Sequence, residues 1–137
     1  MSHLIVLDNE AVQALSDPAH KKHVHVVSHV RVVADRKSRG LPVTVSVPTT
    51  VRVEAGWDRT MPAWAFLNRL RIADIALDGL NANIAASIRQ DARVSVADAH
   101  IGAVIAATTA TKVTVITGDP ADIRRVAAER EVHVVTV

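Results

Sequence analysis

Residues 111–129 read TKVTVITGDPADIRRVAAE. Its first six residues, Thr111–Ile116, are mostly β-branched and predict a buried strand. Pro120 then lies in the first turn of a predicted helix that runs to Glu129, because proline is tolerated where a helix begins. An acidic residue, Asp119, stands between the two. A strand, a short polar turn and a helix in direct succession are typical of a parallel α/β fold.

The same alternation extends over the whole chain. The order is strand, two helices, strand, two helices, strand, two helices, strand, helix, strand. Predicted strands cover residues 4–7, 42–47, 71–77, 111–116 and 132–135, and predicted helices cover 9–15, 20–38, 49–55, 61–70, 78–90, 98–109 and 120–129. We therefore predict one α/β domain, residues 1–137, with a three-layer α/β/α architecture and a central, mostly parallel sheet of about five strands.

The second predicted helix, 20–38, carries a periodic apolar stripe that should face the core. Its members are Val24, Val27, Val30, Val33 and Ala34. The same region is rich in basic residues, with Asp35 as its single acid. These are Lys21, Lys22, Arg31, Arg36, Lys37 and Arg39. Two interpretations stay open, a solvated helix face and a surface that contacts phosphate groups.

Composition narrows the class of protein. Apolar residues make up 49% of the chain and aromatic residues 2%, which suits helices layered on a Val/Ile-rich parallel sheet. There is no cysteine, so disulfides and thiolate metal sites are excluded and a reducing cytoplasm is the expected location. No apolar stretch reaches membrane-spanning length, and the first residues lack the pattern of a signal peptide.

Four acids occupy matching places in four successive structural units. Asp8 follows the apolar run 3–7, and Asp119 follows the strand 112–116. Glu54 lies about two turns into the helix that follows the run 41–47, and Asp98 opens the helix 98–109. Parallel strands bring all four to one edge of the sheet. Carboxylates gathered there repel one another unless a cation lies among them, so the sequence predicts a divalent-metal site and chemistry on phosphate esters.

Helix capping is the alternative explanation for these acids, since helix N-termini favour negative charge. Asp8 could cap the helix from Asn9, although we favour a functional role for it. Thr117 or Asp119 could cap the helix that Pro120 begins. For Asp122 we favour a first-turn charge of that helix.

Histidines and glycines offer weaker evidence. His25 and His29 are four residues apart on one helix, but no acid completes a ligand set, so we interpret the group as solvated; it comprises His20, His23, His25 and His29. His100 is expected at the surface or at the edge of the core. The five glycines are too scattered for a phosphate-binding loop.

Four short segments, in order, carry a resemblance to a known family. They are Ile5–Val12, Val47–Glu54, Val96–Ile101 and Val115–Ile123. Over nearly its full length the chain resembles the PIN domain, a metal-dependent ribonuclease fold, and most of all the VapC-type toxins of toxin–antitoxin pairs.

The resemblance implies specific roles. Asp8, Glu54, Asp98 and Asp119 fall on the acidic quartet of the family, and Asp8, Asp98 and Asp119 would bind Mg²⁺ or Mn²⁺. Thr117 falls on a supporting hydroxyl position. The implied activity is endonucleolytic hydrolysis of RNA by the toxin of a type II toxin–antitoxin pair. The implied partners are an RNA substrate, a small antitoxin protein and a second copy of the chain in a homodimer, with no membrane.

Two positions depart from the family pattern. Asn9 replaces the usual Thr or Ser after the first acid, although its amide can still hold a water beside a metal. Ser95 stands where close relatives often carry a further acid. A second function therefore stays open, a PIN-like module with weak or no catalysis that binds RNA or a partner protein.

Overall fold

A computed structural model describes residues 2–40 and 42–137, without the side chains of residues 34, 37 and 38. Leu41, which begins one predicted apolar run, lies outside this description, as do the side chains of Ala34 and Lys37 in the second predicted helix.

The predicted order of elements is confirmed. Five strands are present: β1 His3–Leu7, β2 Val43–Pro48, β3 Ala73–Ile75, β4 Lys112–Thr117 and β5 His133–Thr136. The helices are α1 Asn9–Ser16, α2 His23–Ser38, α3 Thr49–Ala55, α4 Ala65–Asn68, α5 Gly79–Ala92, α6 Val96–Ala107 and α7 Pro120–Ala127, with a 3₁₀ turn at Pro62–Trp64. Four of the strands agree with the predicted bounds to within one residue at each end.

The five strands form one parallel sheet in the order β3-β2-β1-β4-β5. The chain moves from β1 through β2 to β3 in one direction and from β4 to β5 in the other. Right-handed crossovers therefore place the helices of the two halves on opposite faces of the sheet. The result is the predicted three-layer α/β/α architecture.

This strand order creates a topological switch point between β1 and β4. The connections that follow these two central strands leave in opposite directions, which opens a crevice at their carboxyl ends. Leu7 pairs with Ile116, and the Asp8 N–H donates to the Ile116 carbonyl at 3.1 Å. The residues just beyond β1 and β4 are therefore neighbours at the crevice.

Helix α6 is the most deeply buried helix and anchors the second face. It contacts α5, α7 and β2, and every residue from Ala99 to Ile105 is buried. Gly102 makes this possible, because a Cβ there would lie 2.9 Å from Ile88 Cδ1 and 3.0 Å from the Val126 carbonyl oxygen. Close packing of this kind fixes the position of the acid near the start of α6.

Several predicted details are wrong. Val24 is 76% exposed, and the buried stripe of α2 is Val26, Val27, Val30 and Val33. Helix α2 begins at His23, after a turn. The helix predicted at 61–70 is instead the 3₁₀ turn followed by the short α4, and the strand predicted at 71–77 shrinks to β3. The chain turns sharply between these two elements, where Arg71 has a φ of 55°.

Candidate active site

Asp8 lies at the end of β1 and accepts hydrogen bonds at both carboxylate oxygens. Its Oδ1 accepts from the Ala11 N–H at 2.9 Å, which caps α1, and its Oδ2 accepts from the Gly118 N–H at 3.0 Å. The residue is 7% exposed. The capping interpretation of Asp8 is therefore correct. A carboxylate has about four acceptor positions, so Asp8 can still bind a cation while it caps α1.

Thr117, the buried last residue of β4, connects Asp8 to Asp119 by hydrogen bonds. The Thr117 side chain is fully buried, and its hydroxyl hydrogen-bonds to the Asp8 carboxylate. The same oxygen accepts from the Asp119 N–H at 2.9 Å. Asp119 in turn caps α7 by accepting from the Asp122 N–H at 3.1 Å. Thr117 thus holds the ends of β1 and β4 in a fixed relation.

Asp98 and Glu54 reach the same place from two helices. Asp98 is the third residue of α6 and not its first, because Ser95 is the N-cap and its Oγ accepts from the Asp98 N–H at 3.1 Å. Asp98 is half-buried. Glu54 is the second-last residue of α3 and is exposed. The Ser95 side chain therefore caps α6.

These four carboxylates line a single open pocket of about 380 Å³ at the switch point. The described residues that line it are Asp8, Asn9, Glu10, Lys21, Glu54, Ala97, Asp98, Gly118, Asp119, Asp122 and Val137. They include six carboxylates, Asp8, Glu10, Glu54, Asp98, Asp119 and Asp122, and one cation, Lys21. The predicted convergence of the four acids on one edge of the sheet is thus observed.

The carboxylates are close enough to influence each other's ionisation. Burial is the main cause that raises the pKa of Asp98, and the negative charges of Asp8 and Glu54 raise it further. Asp119 adds to the rise, while a hydrogen bond with Ser95 opposes it. Burial also raises the pKa of Asp8, which its three hydrogen bonds lower in part. The pocket is therefore strongly electronegative, as a cation site requires.

The side chains that could bind a metal offer carboxylate oxygens and the amide oxygen of Asn9. Oxygen ligands of this kind are the ones that Mg²⁺ and Mn²⁺ prefer. In residues 2–40 and 42–137, however, no three His, Asp or Glu side chains come together as a ligand set. The carboxylates line the walls and leave space between them. Mg²⁺ keeps several of its waters, so ligation partly through water is compatible with this spacing.

Glu10 and Gly118 are pocket residues that the sequence does not single out, and Glu10 is the acid of the first turn of α1. Lys21 belongs to the basic segment for which the sequence leaves a phosphate-contacting surface open, and it lines the same pocket. Gly118 lies between Thr117 and Asp119, and that position in the TGDP motif was the one available indication of its importance.

His25 is exposed as expected, His29 is partly buried, and His20, His23 and His100 differ from expectation. His20 is not solvated, since its ring is mostly buried and its Nε2 hydrogen-bonds to Glu10 Oε1 at 2.8 Å. The ring of His23 donates from Nδ1 to the Ala14 carbonyl at 2.8 Å. His100 is fully buried and not at an edge, with Nδ1 2.8 Å from Thr50 Oγ1, and burial lowers its pKa.

Burial of the Asp98 carboxylate, together with repulsion from the neighbouring acids, predicts a gain in stability when its charge is removed. An acid with a raised pKa in the folded state costs stability at neutral pH, and the cost disappears as the pH falls through that pKa. We expect Asp98→Asn to melt at a higher temperature than wild type at about pH 7, with the difference vanishing near pH 4. Thermal unfolding in EDTA at both pH values measures this, and equal melting at neutral pH would contradict it.

Comparisons with known proteins agree on the fold. No family model and no curated protein matches the chain. Three solved structures share its architecture over nearly the whole length, which makes the fold a PIN-like α/β fold. In the part of the chain that the structure describes, no helix is long and apolar enough to cross a membrane.

The individual neighbours are distant in sequence. VapBC2 from Rickettsia felis, bound to a DNA fragment from their promoter, matches with a TM-score of 0.64 and 9% identity over 98% of both chains. FitAcB from Neisseria gonorrhoeae matches with a TM-score of 0.57 and 19% identity over 96% of both chains. FitAB bound to an IR36 DNA fragment gives 0.59 and 18% over 96% of this chain and 94% of that one.

Proposed function

We propose that the protein is a metal-dependent endoribonuclease of the PIN-domain family that hydrolyses RNA phosphodiester bonds, as the toxin of a type II toxin–antitoxin pair. One observation carries this proposal. Asp8, Glu54, Asp98 and Asp119 come from four separate elements and line one pocket at the switch point of a PIN-like fold. Helix capping explains Asp8 and Asp119 individually, and a favourable first-turn charge explains Asp98, but neither explains why the four acids converge.

Asp8, Asp98 and Asp119 would hold Mg²⁺ or Mn²⁺, directly or through water. The chemistry that such an ion supplies is neutralisation of charge on the phosphoryl oxygens and activation of the attacking water. Asp8 is suited to the central position because Thr117, Ala11 and Gly118 fix the orientation of its carboxylate. Glu54, at the more exposed wall, would complete the ligand shell or orient the attacking water.

A protein partner is proposed from the toxin family that the chain resembles. The VapBC2 and FitAB neighbours were themselves solved bound to DNA fragments. By analogy with the toxin family, we propose that this chain is inhibited by a small antitoxin protein, that it forms a homodimer, and that it acts in the cytoplasm. Copurification with the product of the adjacent gene tests the antitoxin, and light scattering tests the homodimer.

Cleavage of a mixed RNA pool by the purified protein is the direct test. We expect cleavage with Mn²⁺ or Mg²⁺, none in EDTA, and recovery when metal is added back in excess, because the acidic pocket repels the phosphodiester unless a divalent cation lies between them and activates the attacking water. Denaturing gels of labelled RNA measure it. Activity that persists in EDTA would contradict the proposal.

The second candidate is a module that binds RNA or a partner protein without cutting. It is favoured by Ser95, whose hydroxyl is committed to capping α6, and by the open spacing of the carboxylates. RNA binding by folded, antitoxin-free protein that shows no cleavage with any divalent metal would support this function in place of the nuclease.

A further inference from the structure

Lys21 is the one cationic side chain among the described residues that line the acidic pocket. It lies in the turn between α1 and α2 and is exposed. A pocket walled by six carboxylates repels a polyanion. A cation at its edge would give a nucleic-acid strand a favourable contact there.

The turn that carries Lys21 is held by a continuous set of hydrogen bonds. Asp17 accepts from the Ala19 N–H at its side chain and from the His20 N–H at its carbonyl, both at 2.9 Å. The His23 N–H then donates to the His20 carbonyl at 2.9 Å, where α2 begins. The backbone on both sides of Lys21 therefore has a defined conformation.

His20 ties this turn to the pocket wall. Its Nδ1 accepts from the Lys22 N–H at 3.0 Å, so its Nε2 carries the hydrogen that is shared with Glu10 Oε1 at 2.8 Å. The side chain of His20 is only 18% exposed. Both ring nitrogens are thus engaged, one with the turn and one with α1.

Glu10 is itself fixed by Gly118. A Cβ at position 118 would lie 2.7 Å from Glu10 Cγ and 2.8 Å from Glu10 Cβ, so the acid packs directly over the glycine. The N–H of the same glycine donates to Asp8. Contacts therefore run without a break from Asp8 through Gly118, Glu10 and His20 to the turn that carries Lys21.

We propose that Lys21 binds a backbone phosphate of the RNA next to the one that is cleaved, and that Glu10 and His20 are positioning residues that hold it there. This inference rests on the proposed function, since it assigns a substrate contact at the same pocket. A lysine suits the role because its ammonium group is a compact point charge that binds phosphate without requiring a fixed orientation.

Binding of fluorescein-labelled, random-sequence single-stranded RNA to the Asp98→Asn protein, in buffer with Mn²⁺, isolates this contact from cleavage. We expect Lys21→Gln to raise Kd about fivefold and to lower the slope of log K against log salt by about 0.7, the loss of one phosphate contact. Lys21→Arg should bind nearly as tightly as the Asp98→Asn parent. The matched control is Lys22→Gln, whose side chain does not line the pocket, and it should change neither quantity.

The positioning pair has its own readout. His20→Ala should weaken RNA binding about threefold, and His20→Gln, whose amide can donate to Glu10, should restore it. Melting temperatures of both variants show whether each is folded. Equal RNA binding by the Asp98→Asn protein with and without His20→Ala would overturn the positioning role.

Two results would overturn the assignment of Lys21. One is equal effects of Lys21→Gln and Lys22→Gln, which would indicate diffuse attraction. The other is tighter Mn²⁺ binding by Lys21→Gln with unchanged RNA binding, which would make Lys21 only a counter-ion of the carboxylates. Failure of the nuclease proposal can be distinguished from failure of this one. If the RNA pool is not cleaved but Lys21→Gln weakens RNA binding as expected, catalysis is refuted and the contact between Lys21 and RNA stands.

Discussion

Asp8→Asn is expected to reduce RNA cleavage at least about a hundredfold, which corresponds to roughly 3 kcal/mol of lost transition-state stabilisation. Asp8 is the most central and best oriented carboxylate of the pocket, with both oxygens anchored by N–H groups. Asparagine keeps the size of the side chain and is an equally good helix cap, so α1 should persist. The measurement is the initial rate on a labelled RNA pool with saturating Mn²⁺.

The variant should remain folded. An amide cannot accept from both the Ala11 and Gly118 N–H groups through its single oxygen, which costs about 1 kcal/mol. Removal of the buried charge offsets part of this cost, because burial raises the pKa of Asp8. We therefore expect the melting temperature to change little.

Asp122→Asn is the matched control, since Asp122 is an acid of the same pocket that forms an ion pair with Arg125. It should retain activity within about threefold, because its charge is already compensated. Wild-type cleavage by Asp8→Asn, in protein free of contaminating nuclease, would refute the assigned role of Asp8. Equal losses in both variants would show that only the total negative charge of the pocket matters.

Arg130→Ala is expected to lower the free energy of unfolding by about 2–4 kcal/mol, because several carbonyls lose charge-assisted hydrogen bonds at once. The Arg130 guanidinium donates to the Ile105 and Thr108 carbonyls at 2.8 Å each, and to the Ala110 carbonyl at 2.5 Å. These groups lie at and just beyond the end of α6, where a cation also complements the helix dipole.

The expected fall in melting temperature is roughly 10 °C for a domain of this size. Chemical denaturation of Arg130→Ala beside Arg124→Ala measures the difference, and Arg124 is a suitable control because it is exposed on α7. Arg130→Lys should recover only part of the loss, since an ammonium group cannot reproduce the planar fork of the guanidinium. Equal unfolding midpoints for the two alanine variants would show that the three bonds contribute nothing.

Local sequence determined the elements and the edge of the sheet at which the acids lie. Strands β1 and β4 are apolar runs too short for a buried helix. Each is followed by a polar residue, because a parallel strand leaves the core at its carboxyl end, and ligand sites lie at that edge. Asp8 and Asp119 could therefore be assigned to one edge before any coordinates. The sequence predicts a helix over 61–70 because the apolar residues there suit one. In the structure the preceding loop binds Asn68, which accepts from Trp57 Nε1 and donates to the Arg59 carbonyl, both at 2.9 Å. A 3₁₀ turn and the short α4 stand in place of the predicted helix.

Only the tertiary structure decided which strands are neighbours, and so which acids share a pocket. The strand order places β1 beside β4, although more than a hundred residues separate Asp8 from Gly118 along the chain. The link from Glu10 to His20, the position of Lys21 and the reach of Arg130 to α6 depend on the same packing. Periodicity and capping act over a few residues and can be read locally, whereas contacts between distant residues form only when the whole core closes.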